Sequence, residues 1–315
     1  MSRPKMILLL PIVLFLSIQA KFDVIEPLKP LSAILHEECL NWFTPTHPKD
    51  RPPNDLSRSF ICGQKVTQAQ QKNALQKSGL YHAIVVSGGH FVFLESALKW
   101  LKWPRWLRFF LLGTYYLMTG LQAPGLRCLM QQGLDIVTKK HHLRFSGPSL
   151  CFYSGLLCLA ISAPLWTSLS FWLSFSVSLA LGFSQELISQ RTRALKILLP
   201  MVTLYLFLIP FNFSKGYPHP LNLIIGMILL YPFCLTLLLS AGFMLIGRIL
   251  NTPSLFHATE VLNQHLFNFL NQGTTIIPNR NEFSLPIFYF WIYLFALLYL
   301  FHFFILRFRQ GSTHE

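Results

Sequence analysis

The sequence predicts an all-α polytopic membrane protein, with about seven to nine membrane segments that include broken or re-entrant helices around a polar path, and a small exported loop-rich segment. Three observations predict it. Of 315 residues, 52% are hydrophobic and only 12% charged, where soluble domains carry roughly a quarter charged residues. Apolar runs recur near 80–98, 107–121, 148–165, 166–184, 195–212, 221–247 and 285–307, close to the ~20 residues that span a hydrocarbon core. Finally, 26 Lys and Arg against 12 Asp and Glu give a net charge of +14, and the excess gathers between the apolar runs, as in cytoplasmic loops.

Residues 1–20 hold a short apolar run behind Arg3 and Lys5. It reads as a membrane anchor or a signal peptide. Ile18 stands three residues before a cut after Ala20, where a small residue is wanted, which favours a retained anchor. Residues 21–79 form a short exported polar segment with half of the acidic residues and the turn-rich stretch "PTHPKDRPPND". A polar helix is expected near 67–77. Cys39 and Cys62 both lie in this segment and can form a disulfide if it is exported. The other four cysteines fall in apolar runs and read as small core residues.

Residues 80–307 form the membrane domain, and 308–315 a polar tail. Three basic clusters lie between apolar runs: "KWLKWPRWLR" at 99–108, Lys139, Lys140 and Arg144, and Arg191, Arg193 and Lys196. Placing all three in the cytoplasm sends 107–121 outward. The chain must then return through 124–137, "PGLRCLMQQGLDIV", whose Arg127, Gln131, Gln132 and Asp135 do not suit a lipid-facing span. It reads as a returning half-helix lining protein or a water-filled cavity, opened by helix breaks at Pro124 and Gly125. Residues 250–283 read as interfacial.

Polar groups at bilayer depth single out a candidate path: His82, Ser87, Gly88, Gly89, His90, Glu95 and Arg127. An arginine at the centre of a membrane helix costs at least about 2.5 kcal/mol, and beside a helix opening it would attract a phosphate. The alternative is a buried ion pair with Glu95 or Asp135. The cations and tryptophans of "KWLKWPRWLR" suit nucleic acid or an aromatic belt with topology-setting charges. Metal-ligand spacing, H-E-x-x-H, G-x-S-x-G and a P-loop are missing from the sequence, so no metal, cofactor, catalytic residue or ATP-driven pulling is expected.

These residues carry a family resemblance. "GLYHAIVVSGGHF", with Gly79, Leu80, His82, Ser87, Gly88 and His90, is similar to the segment that opens the membrane competence domain of the ComEC family. "TGLQAPGLRCLM" is similar to a second block through Thr119, Gly120, Arg127, Leu129 and Met130, and "PLWTSLSFWLSFSVSLALGF" to a third through Pro164, Ser174, Phe175 and Gly182. Later, Met227 and Pro232 match only half of a further motif. The resemblance implies a channel in the bacterial inner membrane that admits single-stranded transforming DNA. It implies as partners an exported DNA receptor, a cytosolic helicase-like ATPase and a separate nuclease, besides membrane lipids. The H-x-H-x-D-H motif of the metallo-β-lactamase-like domain found in longer members does not occur in this sequence. Transport of another anionic polymer or of a lipid phosphate is the alternative, and an intramembrane metal-dependent enzyme using His82, His90 and Glu95 a further one.

Overall fold

Short turns and helix-terminating motifs set the architecture. The computed structural model describes residues 23–43, 55–77, 80, 88–143, 145–188, 193–214 and 220–274, together with Tyr293 and Ala296. The N-terminal run 6–20, the polar tail, and the site candidates His82 and Ser87 lie outside the described residues, as does the apolar run 285–307 apart from Tyr293 and Ala296.

Among the described residues all regular structure is helical. A 3-10 turn, Glu26–Leu28, leads into α1 (Lys29–Trp42). Then follow α2 (Asp55–Cys62), α3 (Ala69–Lys77), α4 (Gly88–Trp100), α5 (Arg105–Met118), α6 (Ala123–Lys140) and α7 (Gly147–Ile161). A second 3-10 turn, Ala163–Thr167, precedes α8 (Leu169–Ile188), α9 (Arg193–Ser214), α10 (Pro220–Ile249) and α11 (Pro253–Thr274).

Left-handed caps end several helices. The α5 helix closes on Gly120 (φ 72°), with Leu121 N–H donating to Tyr116 O at 3.2 Å and Gly120 N–H to Leu117 O at 3.2 Å. This is the Schellman pattern, in which backward bonds satisfy the last carbonyls. The same closure recurs at Lys102 (φ 58°) after α4 and at His142 (φ 54°) after α6, where a side chain makes the left-handed conformation costly. Because the connections 101–104, 119–122 and 141–146 are short, successive helices reverse direction. Lys99, Lys102, Arg105, Lys139 and Lys140 therefore gather at one end of the bundle, and the turns at 119–122 and 162–168 at the other.

Helices α4 to α9 share an aromatic-rich core of Phe91, Tyr116, Phe171, Trp172, Phe175, Phe183 and Phe207, filled out by leucines and by Cys128, Cys151 and Cys158. Two glycines set the spacing. A Cβ on Gly125 would lie 2.5 Å from Phe91 Cζ and 2.9 Å from Tyr116 Cδ2, and one on Gly155 would collide with the Phe175 ring. A second cluster joins Leu56 and Phe60 of α2, Leu75 of α3, Phe233 and Leu237 of α10 and Leu270 of α11.

Two expectations change. The segment 21–79 is less loop-rich than its composition predicts, since its described part holds three α-helices: α1 and α2 bond to the end of the bundle away from the basic turns, and α3 packs Leu75 against Phe233 of α10 and Leu270 of α11. Ser32 Oγ donates to Leu117 O at 2.8 Å, beside the Gly120 N–H already there, and His36 Nδ1 to Met118 O at 3.0 Å, so α1 bonds to the last carbonyls of α5. Tyr115 Oη donates to Ile61 O (3.1 Å), and Ser162 Oγ to Asp23 Oδ1 (3.0 Å). Cys39 and Cys62 are joined in a disulfide against Ala241 and Met244 of α10, fixing α1 to α2.

The second change concerns 124–137. It is not a half-helix: α6 runs unbroken over 18 residues, about 27 Å long. Pro124 sits in its first turn, where the missing N–H costs nothing, and Gly125 serves close packing. The chain break precedes both, at the Gly120–Leu121 turn. In length and composition one described window, Pro232–Ile249 of α10, suits a membrane span, and Gly147–Ile161 and Leu198–Ile209 are shorter apolar helices.

Candidate functional site

Arg127 stands in the second turn of α6, facing α7 and α8. Pro124 to Leu129 are all buried, and Arg127 itself is 2% exposed. Its Nε donates to Ser174 Oγ of α8 at 3.1 Å, and Nη1 to Gln131 Oε1, one turn along its own helix, at 2.9 Å. Nη2 reaches Cys128 Sγ at 3.3 Å, and Nη1 reaches Cys151 Sγ of α7 at 3.9 Å. The acceptors are a hydroxyl, an amide and two thiol sulfurs. No carboxylate is among them.

The anticipated ion pairs are made elsewhere. Glu95 accepts from Lys99 Nζ at 2.8 Å and lies 3.5 Å from Arg108 Nη1. Asp135 pairs with Lys139 one turn on. Both acids are thereby neutralised toward the basic end, and Arg127 keeps its charge in a neutral cradle. Since a lone buried guanidinium is costly, this cradle is the unusual electrostatic feature of the bundle.

Among the described residues, no other candidate bonds to Arg127. Gly88 and Gly89 open α4. His90, in the first turn, packs edge-on against Phe60 of α2 with ring centroids 4.2 Å apart. Glu95 sits nearer the opposite end of α4. The described candidates thus fall at three places: His90 beside α2, a buried node at Arg127 and a basic-end cluster around Glu95. Arg127, expected to face a polar path, is buried between α6, α7 and α8. Among the described residues, no three His, Cys, Asp or Glu side chains gather as metal ligands would.

Sequence reasoning missed two partners of Arg127. Gln131 was readable from its i, i+4 spacing. Ser174 lies 47 positions away, and only its place in the third motif block marked it. A buried polar hub also escaped notice, in which Asn263 Nδ2 of α11 donates to Ser57 Oγ of α2 at 3.1 Å and to Ser240 Oγ of α10 at 3.0 Å.

A family model described as Competence protein matches residues 61–310. The chain belongs to the Competence protein family. The matched region is the ComEC-type membrane domain, and it takes in α3 to α11, so the neutral cradle of Arg127 and the basic turns are parts of the competence domain. Membership ties the chain to DNA uptake in competence and to a membrane-associated domain with no known catalytic role. Neither the curated proteins nor the solved structures searched contain a match.

Proposed function

We propose that the chain is a multi-pass protein of the bacterial inner membrane, and that a single strand of DNA crosses its α4–α9 bundle during competence. The observation that carries this reading is Arg127, a buried cation whose partners are all neutral. Such a charge is held at a cost that a structural role does not require, because an apolar side chain of similar volume would pack there as well. A passing polyanion does require it. The described conformation is then the closed one. Separation of α6 from α8 would break the Ser174 bond and free Nε for one phosphate oxygen, and exchange of the same-helix Gln131 and Cys128 contacts would turn the Nη groups to a second.

The ends of the bundle support a direction. Disulfide-linked α1 and α2 cap one end, consistent with an oxidising outer compartment. The cation-rich turns occupy the other, consistent with the cytoplasm. Transient contacts with one buried arginine favour conduction over retention, since tight single-site binding would stop the strand. An exported DNA receptor, a cytosolic helicase-like ATPase to draw the strand inward and a separate nuclease would complete the machinery.

The test is deletion of the gene followed by uptake of labelled DNA. Surface-bound label should persist while nuclease-protected cytosolic label disappears. Undiminished cytosolic label in the deletion strain would remove the transport reading.

A further inference from the structure

We infer that the turn between α4 and α5 seats the headgroup of an acidic phospholipid, fixing the basic end of the bundle to an anionic leaflet. This rests on the reading that the chain spans a membrane. The turn presents three layers in order along the helices. Deepest are exposed apolar side chains, Val92 and Phe93 on α4 and Phe110 on α5, the last 65% exposed. Next come the indoles of Trp100 (83% exposed) and Trp106 (70% exposed). Outermost, in the turn itself and the first residue of α5, are Lys102 and Arg105, both exposed.

The cations are free to act. Glu95, the one acid of α4, is already engaged by Lys99 and Arg108. Neither Lys102 nor Arg105 has an ion-pair partner among the described residues. The left-handed backbone at Lys102 (φ 58°) closes α4 and fixes where its side chain leaves the turn, three positions before Arg105. Two unpaired cations beside two indoles, above bare apolar surface, match the profile of a bilayer: hydrocarbon, interface, then phosphate. A nucleic-acid surface alternates rings and cations along one groove instead. Here Trp103 also stands between Lys102 and Arg105, and what departs from such a groove is the bare apolar surface of Val92, Phe93 and Phe110 continuing below them.

The experiment uses the full-length protein purified into detergent and offered equal phosphatidylglycerol and phosphatidylcholine, with bound lipid read by native mass spectrometry. The wild type should retain phosphatidylglycerol preferentially. Lys102→Gln and Arg105→Gln should each weaken that preference about fivefold, whereas Arg105→Lys and a control at the other end, Lys65→Gln, should leave it intact. Equal retention of the two lipids, or an unchanged preference in both glutamine variants, would overturn the inference. Displacement of the lipid by a single-stranded oligonucleotide would reassign the turn to nucleic acid. Displacement by inorganic phosphate alone would reduce it to a simple anion site. Alkaline carbonate extraction separates the two possible failures. Release of the wild type from membranes sinks the membrane reading itself, while a protein that stays in the pellet without lipid preference sinks only this inference.

Discussion

Arg127 of α6 donates through Nε to the hydroxyl of Ser174 on α8 at 3.1 Å, and this bond is the polar tie between the two helices at the centre of the bundle. Ser174→Ala should leave a buried charged donor without its acceptor and destabilise the protein by about 1–3 kcal/mol, read as a lower midpoint in thermal unfolding in detergent. An unchanged midpoint would mean that the guanidinium readily finds another acceptor.

The approach of α6 to its neighbours depends on Gly125. Gly125→Ala places a methyl 2.5 Å from the Phe91 ring, and overpacking of this kind costs about 1–3 kcal/mol. Gly113→Ala is the matched control, since nothing lies within 4 Å of its added methyl, and it should be neutral or mildly stabilising because alanine favours helix. Expression level and thermal midpoint should separate the two variants.

The disulfide between Cys39 and Cys62 closes a sequence separation of 23 residues. By loop entropy its loss should cost about 3 kcal/mol, which would free α1 from α2 and expose the end of α5. Without reduction, alkylation followed by peptide mapping should leave Cys39 and Cys62 unmodified and linked. Alkylation of both in the unreduced protein would contradict the pairing.

Left-handed caps on non-glycine residues store modest strain. His142→Gly and Asn251→Gly, at φ 54° and 52°, should each stabilise the protein by about 1 kcal/mol. Denaturant or thermal midpoints measure this directly.

The two ends of the bundle should face different compartments. An impermeant maleimide should label Lys29→Cys in intact cells and Lys140→Cys only after the membrane is opened. Native Cys128, Cys151 and Cys158 are buried and should add little background. Labelling of Lys140→Cys from outside would invert the proposed orientation.

The helical class and the basic turns were legible in the sequence because both depend on local signals, namely apolar run length and clustered charge. The alternation of helices then brought the Lys99–Arg108 cluster and the Lys139–Lys140 pair to one end, as the charges alone implied. The α6 helix was misread for a physical reason. Its polar residues suggested a returning half-helix, yet Gln131 serves Arg127 and Asp135 serves Lys139, each one turn away, so the helix satisfies most of its own polar groups. Pro124 and Gly125 look like breakers in the sequence, whereas proline in a first turn starts a helix and glycine there admits Phe91. The surroundings of Arg127 were not legible, because Ser174 and Cys151 reach it only through the packing of three helices.

The central claim is that Arg127 is kept for a passing polyanion and not for the fold. It is tested most directly by Arg127→Met, which removes the charge while keeping most of the volume. The variant should reach the membrane at wild-type abundance and unfold at or above the wild-type midpoint, while nuclease-protected import of labelled DNA falls to the level of the deletion strain. Wild-type import by Arg127→Met would contradict the account, and so would a collapse in abundance that Arg127→Lys restores without restoring import.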